Sequence, residues 1–229
     1  MGQQEDFWQP VATALGMSAQ TGLGNGEPAR RPLAVEDRTR LTVRGSLSVT
    51  VHAGAQLRAE CRGDANLLDL VKVRVSQDVL FIELEDEVEA RHPPQVELWI
   101  PDLREVEARD SARLDVRGVE GDLAAMAREA GQVTLTGRAG TLRLTGAEAA
   151  RLESAHCPAR DGVVQLSGVA RARLSGLRTL WADCSGASQL DCEGRPERQE
   201  IRCSGLALVR FHRAWGAPVR PWARFLPPR

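Results

Sequence analysis

At 229 residues the chain has the length for one large domain with a substantial core, and 42% of its residues are hydrophobic. Its 30 Lys and Arg stand against 31 Asp and Glu, a net charge of -1 that excludes a global field for nucleic acid or an anionic membrane. Aromatics are only 4%, with no Tyr, so the apolar content lies in Ala, Val and Leu and favours narrow, layered β interiors.

Residues 1–32 read as a flexible N-terminal arm. The opening "MGQQEDFWQPVATALGM" carries acids where a signal peptide needs positive charge, so the expected location is cytoplasmic. A trimmed native N-terminus would instead allow the bacterial envelope or secretion. Phe7, Trp8, Val11 and Leu15 form one apolar stripe on a short helix starting near Pro10, a candidate interaction element. The glycines of Gly22 to Gly26 precede neither a strand nor a convincing helix and read as linker rather than phosphate cradle. No stretch approaches the roughly 20 apolar residues of a membrane helix, so no membrane span is expected.

Residues 33–102 read as strand-rich. Leu41, Val43, Leu47, Val49 and Val51 alternate at period two, as do "VKVRVSQDVLFIELE" and "QVELWIP", with Ser76 to Asp78 as a turn. The acid-rich Glu83 to His92 reads as a charged turn rather than a calcium site.

From 103 to 211 one motif returns. Anchors at Asp110, Glu129, Gly146, Gly168, Gly186 and Gly205 lie 19, 17, 22, 18 and 19 residues apart. The positions four and two before each anchor, and four and six after, are apolar in all 24 instances, against 3 of the 24 positions between them. Such a contrast requires an inside and an outside. A strand, a corner and a second strand cannot bury an apolar side alone, so successive units must stack. The expected fold is all-β: a right-handed parallel β-helix of about six coils of about 19 residues. In its weakest coil, Asp122 could instead cap a short helix running to Gly131.

The five cysteines, Cys61, Cys157, Cys184, Cys192 and Cys203, include no C-x-x-C pair, and no cofactor or metal site is spelled out. Stacking places Cys184 above Cys203 inside, as small buried hydrophobes, with a disulfide or metal clip as the alternative. The four histidines are isolated, and His156 and Cys157 point to opposite faces of a strand, which argues against a nucleophile pair. Thr145, Ser167, Ser185 and Ser204 form an expected hydroxyl ladder. One outward column is expected to read Asp115, Thr134, Arg151, Arg173, Asp191 and Arg210, another Glu107, Met126, Arg143, Gln165, Asp183 and Arg202. Both mix signs as a solvated face does. The tail 212–229 carries Trp215, Arg220, Trp222, Arg224 and Phe225, residue types that favour interfaces, and either caps the solenoid or docks on a partner.

Several segments carry a family resemblance: "GDANLLDLVKVRVSQDVLFIEL" from Gly63, "IPDLREVEARDSARLDV" from Ile100, the repeated Ser-Gly corners, and "CEGRPERQEIRCSG" before the last coil. In this order they resemble the bacterial family called the putative auto-transporter adhesin head GIN domain, from about Leu33 to Phe211. The resemblance implies a parallel β-helix preceded by a strand-rich part, usually at the cell envelope, and supplies no catalytic residues. Against that pattern, the opening residues do not read as an export signal and the tails carry apolar residues, which sets the expected location apart from the family's.

The expected function is therefore a non-catalytic β-solenoid binding or scaffold module for protein–protein assembly or adhesion, its partner another protein or a second copy. The alternative is a carbohydrate-binding or polysaccharide-lyase-like β-helix whose outward glycan face comprises Arg151, Arg173, Asp191 and Arg210. Nucleic acid is not an expected partner.

Overall fold

A computed structural model describes residues 22–84 and 87–212. It is a β-solenoid of about six turns. Each repeating coil lays one strand on each of two faces, with a sharp corner between them. Along the first face Glu105–Ala108 pairs with the end of Arg113–Ala127, followed by the end of Gln132–Gly146, Ala159–Leu166, Thr179–Cys184 and Arg198–Cys203, all parallel. The second face runs from the start of Arg113–Ala127 through the start of Gln132–Gly146, Arg151–Ser154, Arg171–Ser175 and Gln189–Glu193 to Leu208–His212. Residues 122–127 are strand, not helix.

Corner residues adopt the left-handed conformation: Asp110 (φ 59°), Glu129 (59°), Glu148 (61°), Gly168 (69°), Gly186 (71°) and Gly205 (71°). They lie 19, 19, 20, 18 and 19 residues apart, so the third anchor is Glu148 and not Gly146. The correction moves that coil by two residues, which keeps inside and outside unchanged but shifts its columns. The inward column is Val106, Ala125, Leu144, Val164, Ala182 and Ile201. Gly146 joins the neighbouring column, where Leu166 and Leu152 already fill the space a side chain would need: an added Cβ would lie 2.9 and 3.2 Å from their methyl carbons. Ser154 also faces inward, fully buried, and its hydroxyl donates to the Arg173 carbonyl at 2.6 Å. Thr145 leaves the hydroxyl ladder, in which Ala147 precedes Ser167, Ser185 and Ser204.

Two of the three acid corners, Asp110 and Glu129, gain a compensating bond. The Asp110 carboxylate accepts the Gly45 amide at 2.9 Å, and the Glu129 carboxylate accepts the Asp110 amide at 2.5 Å. Each acid thereby satisfies the corner of the coil before it, and a charge-assisted bond offsets the backbone cost.

The N-terminal strands join the same stack in an order that differs from the sequence. Arg40–Arg44 and Ser48–Ala53 form one coil beneath Glu105–Ala108 and the start of Arg113–Ala127. Val79–Leu84 and Gln95–Ile100 form the next coil outward. Three antiparallel strands then cover the end: Val71–Ser76 on Val79–Leu84, Arg58–Asp64 on Gln95–Ile100, and Pro28–Pro32 on Arg58–Asp64. The 3-10 turn Ala65–Leu70 buries Leu67 and Leu68 beside them. Among the described residues only the turn at Gln77 (φ 54°) and Asp78 makes a local hairpin, as expected from "SQD". Antiparallel strands across one end cover edges that would otherwise template aggregation.

Candidate functional site

The two ends of the solenoid are unlike. The N-terminal end is covered, whereas Arg198–Cys203 and Leu208–His212 pair on one side only among the described residues. Leu206 is 79% exposed and Leu208 46%, and the inward-facing Ile201, Val209 and Phe211 are half-buried. In earlier coils the corresponding inward residues, such as Ala182 and Leu190, are fully buried. Among the described residues the last coil thus leaves the solenoid's interior columns uncovered.

Cys203 sits in this open coil. It is in register with Cys184, as stacking required, but it is exposed while Cys184 is buried. The expectation that both lie in the interior therefore fails for Cys203, because no further coil covers it among the described residues. All five thiols are free. Burial pushes Cys184 up to about 11, with Cys203 and Asp183 adding to it, and Cys192 up to about 12. Such thiols are poor nucleophiles at neutral pH. Cys203 is the one exposed thiol.

At the covered end, a wholly buried Asp64 bonds the Nδ1 of His92 at 2.9 Å. Burial alone would raise the Asp64 carboxyl, but the His92 bond and the amides of Gly26 and His92 outweigh it and hold it below its ordinary value. A depressed folded value contributes stability that is present above the unfolded value, about 3.9, and lost as pH falls through the folded one. Asp64→Asn should therefore flatten the acid limb of a stability-versus-pH curve measured by thermal melts from pH 6 to 2; an unchanged limb would remove Asp64 from the acid response.

The outward faces differ from their expected columns because of the shifted corner. Arg173, Asp191 and Arg210 are indeed in line, but Glu153 precedes them, and Arg151 stands in the adjacent column opposite Arg171. Arg173 pairs with Glu153 at 3.6 Å, and Asp191 with His212 at 2.7 Å. On the first face Thr145, not Arg143, lies between Met126 and Gln165. Phe7, Trp8, Val11, Leu15, Trp215, Arg220, Trp222, Arg224 and Phe225 lie outside the described residues, as do Glu85 and Asp86 of the charged turn. Among the described residues there is no group of three or more His, Cys, Asp or Glu that could hold a metal, and no helix long and apolar enough to cross a membrane. Neither the open coil nor the Asp64–His92 pair was legible from spacing, since both depend on where the stack ends.

A stack of coils with one covered end, another left open among the described residues, and long ordered faces is a domain of the β-solenoid class. The chain belongs to the family described as putative auto-transporter adhesin, head GIN domain, whose model matches residues 38–196. Among solved structures it is similar to a putative adhesin of Bacteroides fragilis, at 13% identity and a TM-score of 0.66 over 83% of this chain and 99% of that one. It is also similar to a putative lipid binding protein of Parabacteroides distasonis, at 14% identity and a TM-score of 0.50 over 83% and 99%. At these identities the likeness is one of fold. No curated protein matches. Membership in an adhesin family points to binding rather than catalysis and to the envelope or extracellular side; the cytoplasmic location expected from the N-terminus gains no support.

Proposed function

We propose that the protein is a non-catalytic binding module of the cell envelope that assembles through its last coil with a second copy of the same chain. The observation that supports this is the contrast between ends, with Leu206 and Leu208 exposed on a coil whose strand edges are unpaired among the described residues. Because the other end is covered by antiparallel strands, head-to-tail stacking has no matching surface. Two open ends are self-complementary under a two-fold axis, which closes the assembly as a dimer instead of a fibre.

The segment 213–229 leaves from this same coil. Pro218, Pro221, Pro227 and Pro228 cannot donate to a ladder, so the segment is poorly suited to lay a further coil of its own over the edge. Its Trp215, Trp222 and Phe225 are suited to anchoring a partner beside it, and Arg220 and Arg224 to the polar rim.

Light scattering on size-exclusion fractions tests the reading. The full chain should elute with the mass of a dimer, and Leu206→Arg, which places a charge on the contact without touching the core, should elute as a folded monomer. A wild-type chain that stays monomeric at every concentration would sink it.

A further inference from the structure

Along the outside of the second face, one column of side chains is continuous over ten strands. It reads Arg30, Arg62, Gln95, Ser48, Arg113, Gln132, Arg151, Arg171, Gln189, Leu208, each in register with the next. Five arginines, three glutamines and a serine occur with no acid, in a chain whose acids and bases otherwise balance. Nine inter-strand steps of ~4.8 Å make the column about 43 Å long.

The next column, about 7 Å away along each strand, carries the acids: Glu60, Glu97, Asp115, Glu153 and Asp191. Most of these pair away from the arginine column. Asp115 bonds Arg117, Glu153 lies near Arg173, and Asp191 bonds His212. Arg62 is held by Glu60 and Glu97, and Arg30 approaches Glu60 at 3.9 Å. Among the described residues Arg113, Arg151 and Arg171 have no acidic partner. Arg151 and Arg171 stand directly opposite each other, an arrangement that destabilises a sheet unless an anion lies between them.

Two concavities lie on this column. Near one end a cavity of about 350 Å³ is lined by Arg30, Arg62, Arg91, His92 and Gln95, with the His92 Nδ1 held by buried Asp64 so that Nε2 is its free ring nitrogen. Toward the other end a cavity of about 330 Å³ is lined by Arg151, Arg171, Arg173 and Gln189 and by two acids, Glu153 and Asp191, which pair with Arg173 and His212.

We propose that this column is the binding site for a linear anionic polysaccharide lying along the solenoid axis. Arginine forks recognise carboxylates in bidentate fashion, and glutamine amides both donate to and accept from sugar hydroxyls. The stripe is one residue wide and bordered by five acids, so it admits a thin chain and repels an anionic plane such as a lipid surface. It carries no aromatic side chain on which the bases of a single-stranded nucleic acid would stack. The column reaches the open last coil only at Leu208, its arginines all lying on earlier strands, and the glycan chemistry rests on the unpaired arginines rather than on the mixed-sign line of Arg173, Asp191 and Arg210.

The test titrates the full chain with polygalacturonate, with dextran, oligothymidylate and phosphatidylglycerol vesicles as parallel probes, at low and high salt. Polygalacturonate should bind in a salt-dependent way and dextran should not. The triple variant Arg113→Gln, Arg151→Gln, Arg171→Gln should lose at least about tenfold in affinity, whereas Arg138→Gln, Arg143→Gln, Arg198→Gln, with the same charge change elsewhere, should lose little. The first variant's melting temperature should not fall, since it removes a like-charge pair. Equal losses in both variants, no binding by folded wild-type chain at low salt, tighter binding to oligothymidylate or vesicles, or a lower melting temperature in the column variant would each overturn the proposal.

Discussion

Replacing Gly45 by alanine should destabilise the protein by about 2–5 kcal/mol. Gly45 turns the corner between Arg40–Arg44 and Ser48–Ala53 at φ 84°, a conformation in which a Cβ meets the following carbonyl. The added carbon would also lie 1.9 Å from the backbone oxygen of Leu84, on the coil that carries the N-terminal cover. Backbone cannot swing aside as a flexible side chain can, so the two coils must separate. Gly54 provides the control, because at φ 77° it has nothing within 4 Å of the added carbon. Gly54→Ala should cost only the conformational part, about 1–2 kcal/mol. Equilibrium urea unfolding of both variants measures the difference; equal losses would mean that Gly45 matters for its dihedral alone.

Leu144→Ala should cost about 2–5 kcal/mol, the loss of a fully enclosed side chain plus the cavity it leaves. Leu144 is 1% exposed and stands between Ala125 and Val164, small and β-branched neighbours that cannot collapse into the gap. Leu208, 46% exposed on the last coil, is the matched comparison, and Leu208→Ala should change the monomer's stability by less than about 0.5 kcal/mol. Similar losses at the two positions would show that the last coil is as enclosed as the middle of the stack.

The repeat was readable because inside and outside alternate with period two, and that parity survives an error of two residues. Gly146 attracted the third anchor because glycine is the usual occupant of a left-handed corner; the real corner, Glu148, is an acid, like Asp110 and Glu129. The apolar columns tolerated the slip, since Leu142, Leu144, Ala150 and Leu152 are all inward on either count. The outward columns did not. A two-residue shift moved Arg151 beside Arg173 and hid its true neighbour, Arg171. Arg30 and Arg62 were beyond any repeat argument, because they reach the column on antiparallel strands that follow no period. The spatial order of the first two coils was equally hidden: alternation says which side of a strand is buried, not which coil lies above which. The open end is legible only once the stack's direction is known.

The most direct test of assembly through the last coil is the alkylation rate of Cys203, the one exposed thiol, followed against protein concentration beside the mass from light scattering. At low concentration one thiol per chain should react quickly and four only on unfolding, and the fast rate should fall in step with dimer formation as the coil is covered. A Cys203 rate that is the same at every concentration, whether fast in a lasting monomer or slow because the chain's own 213–229 segment covers it, would contradict assembly by a second copy.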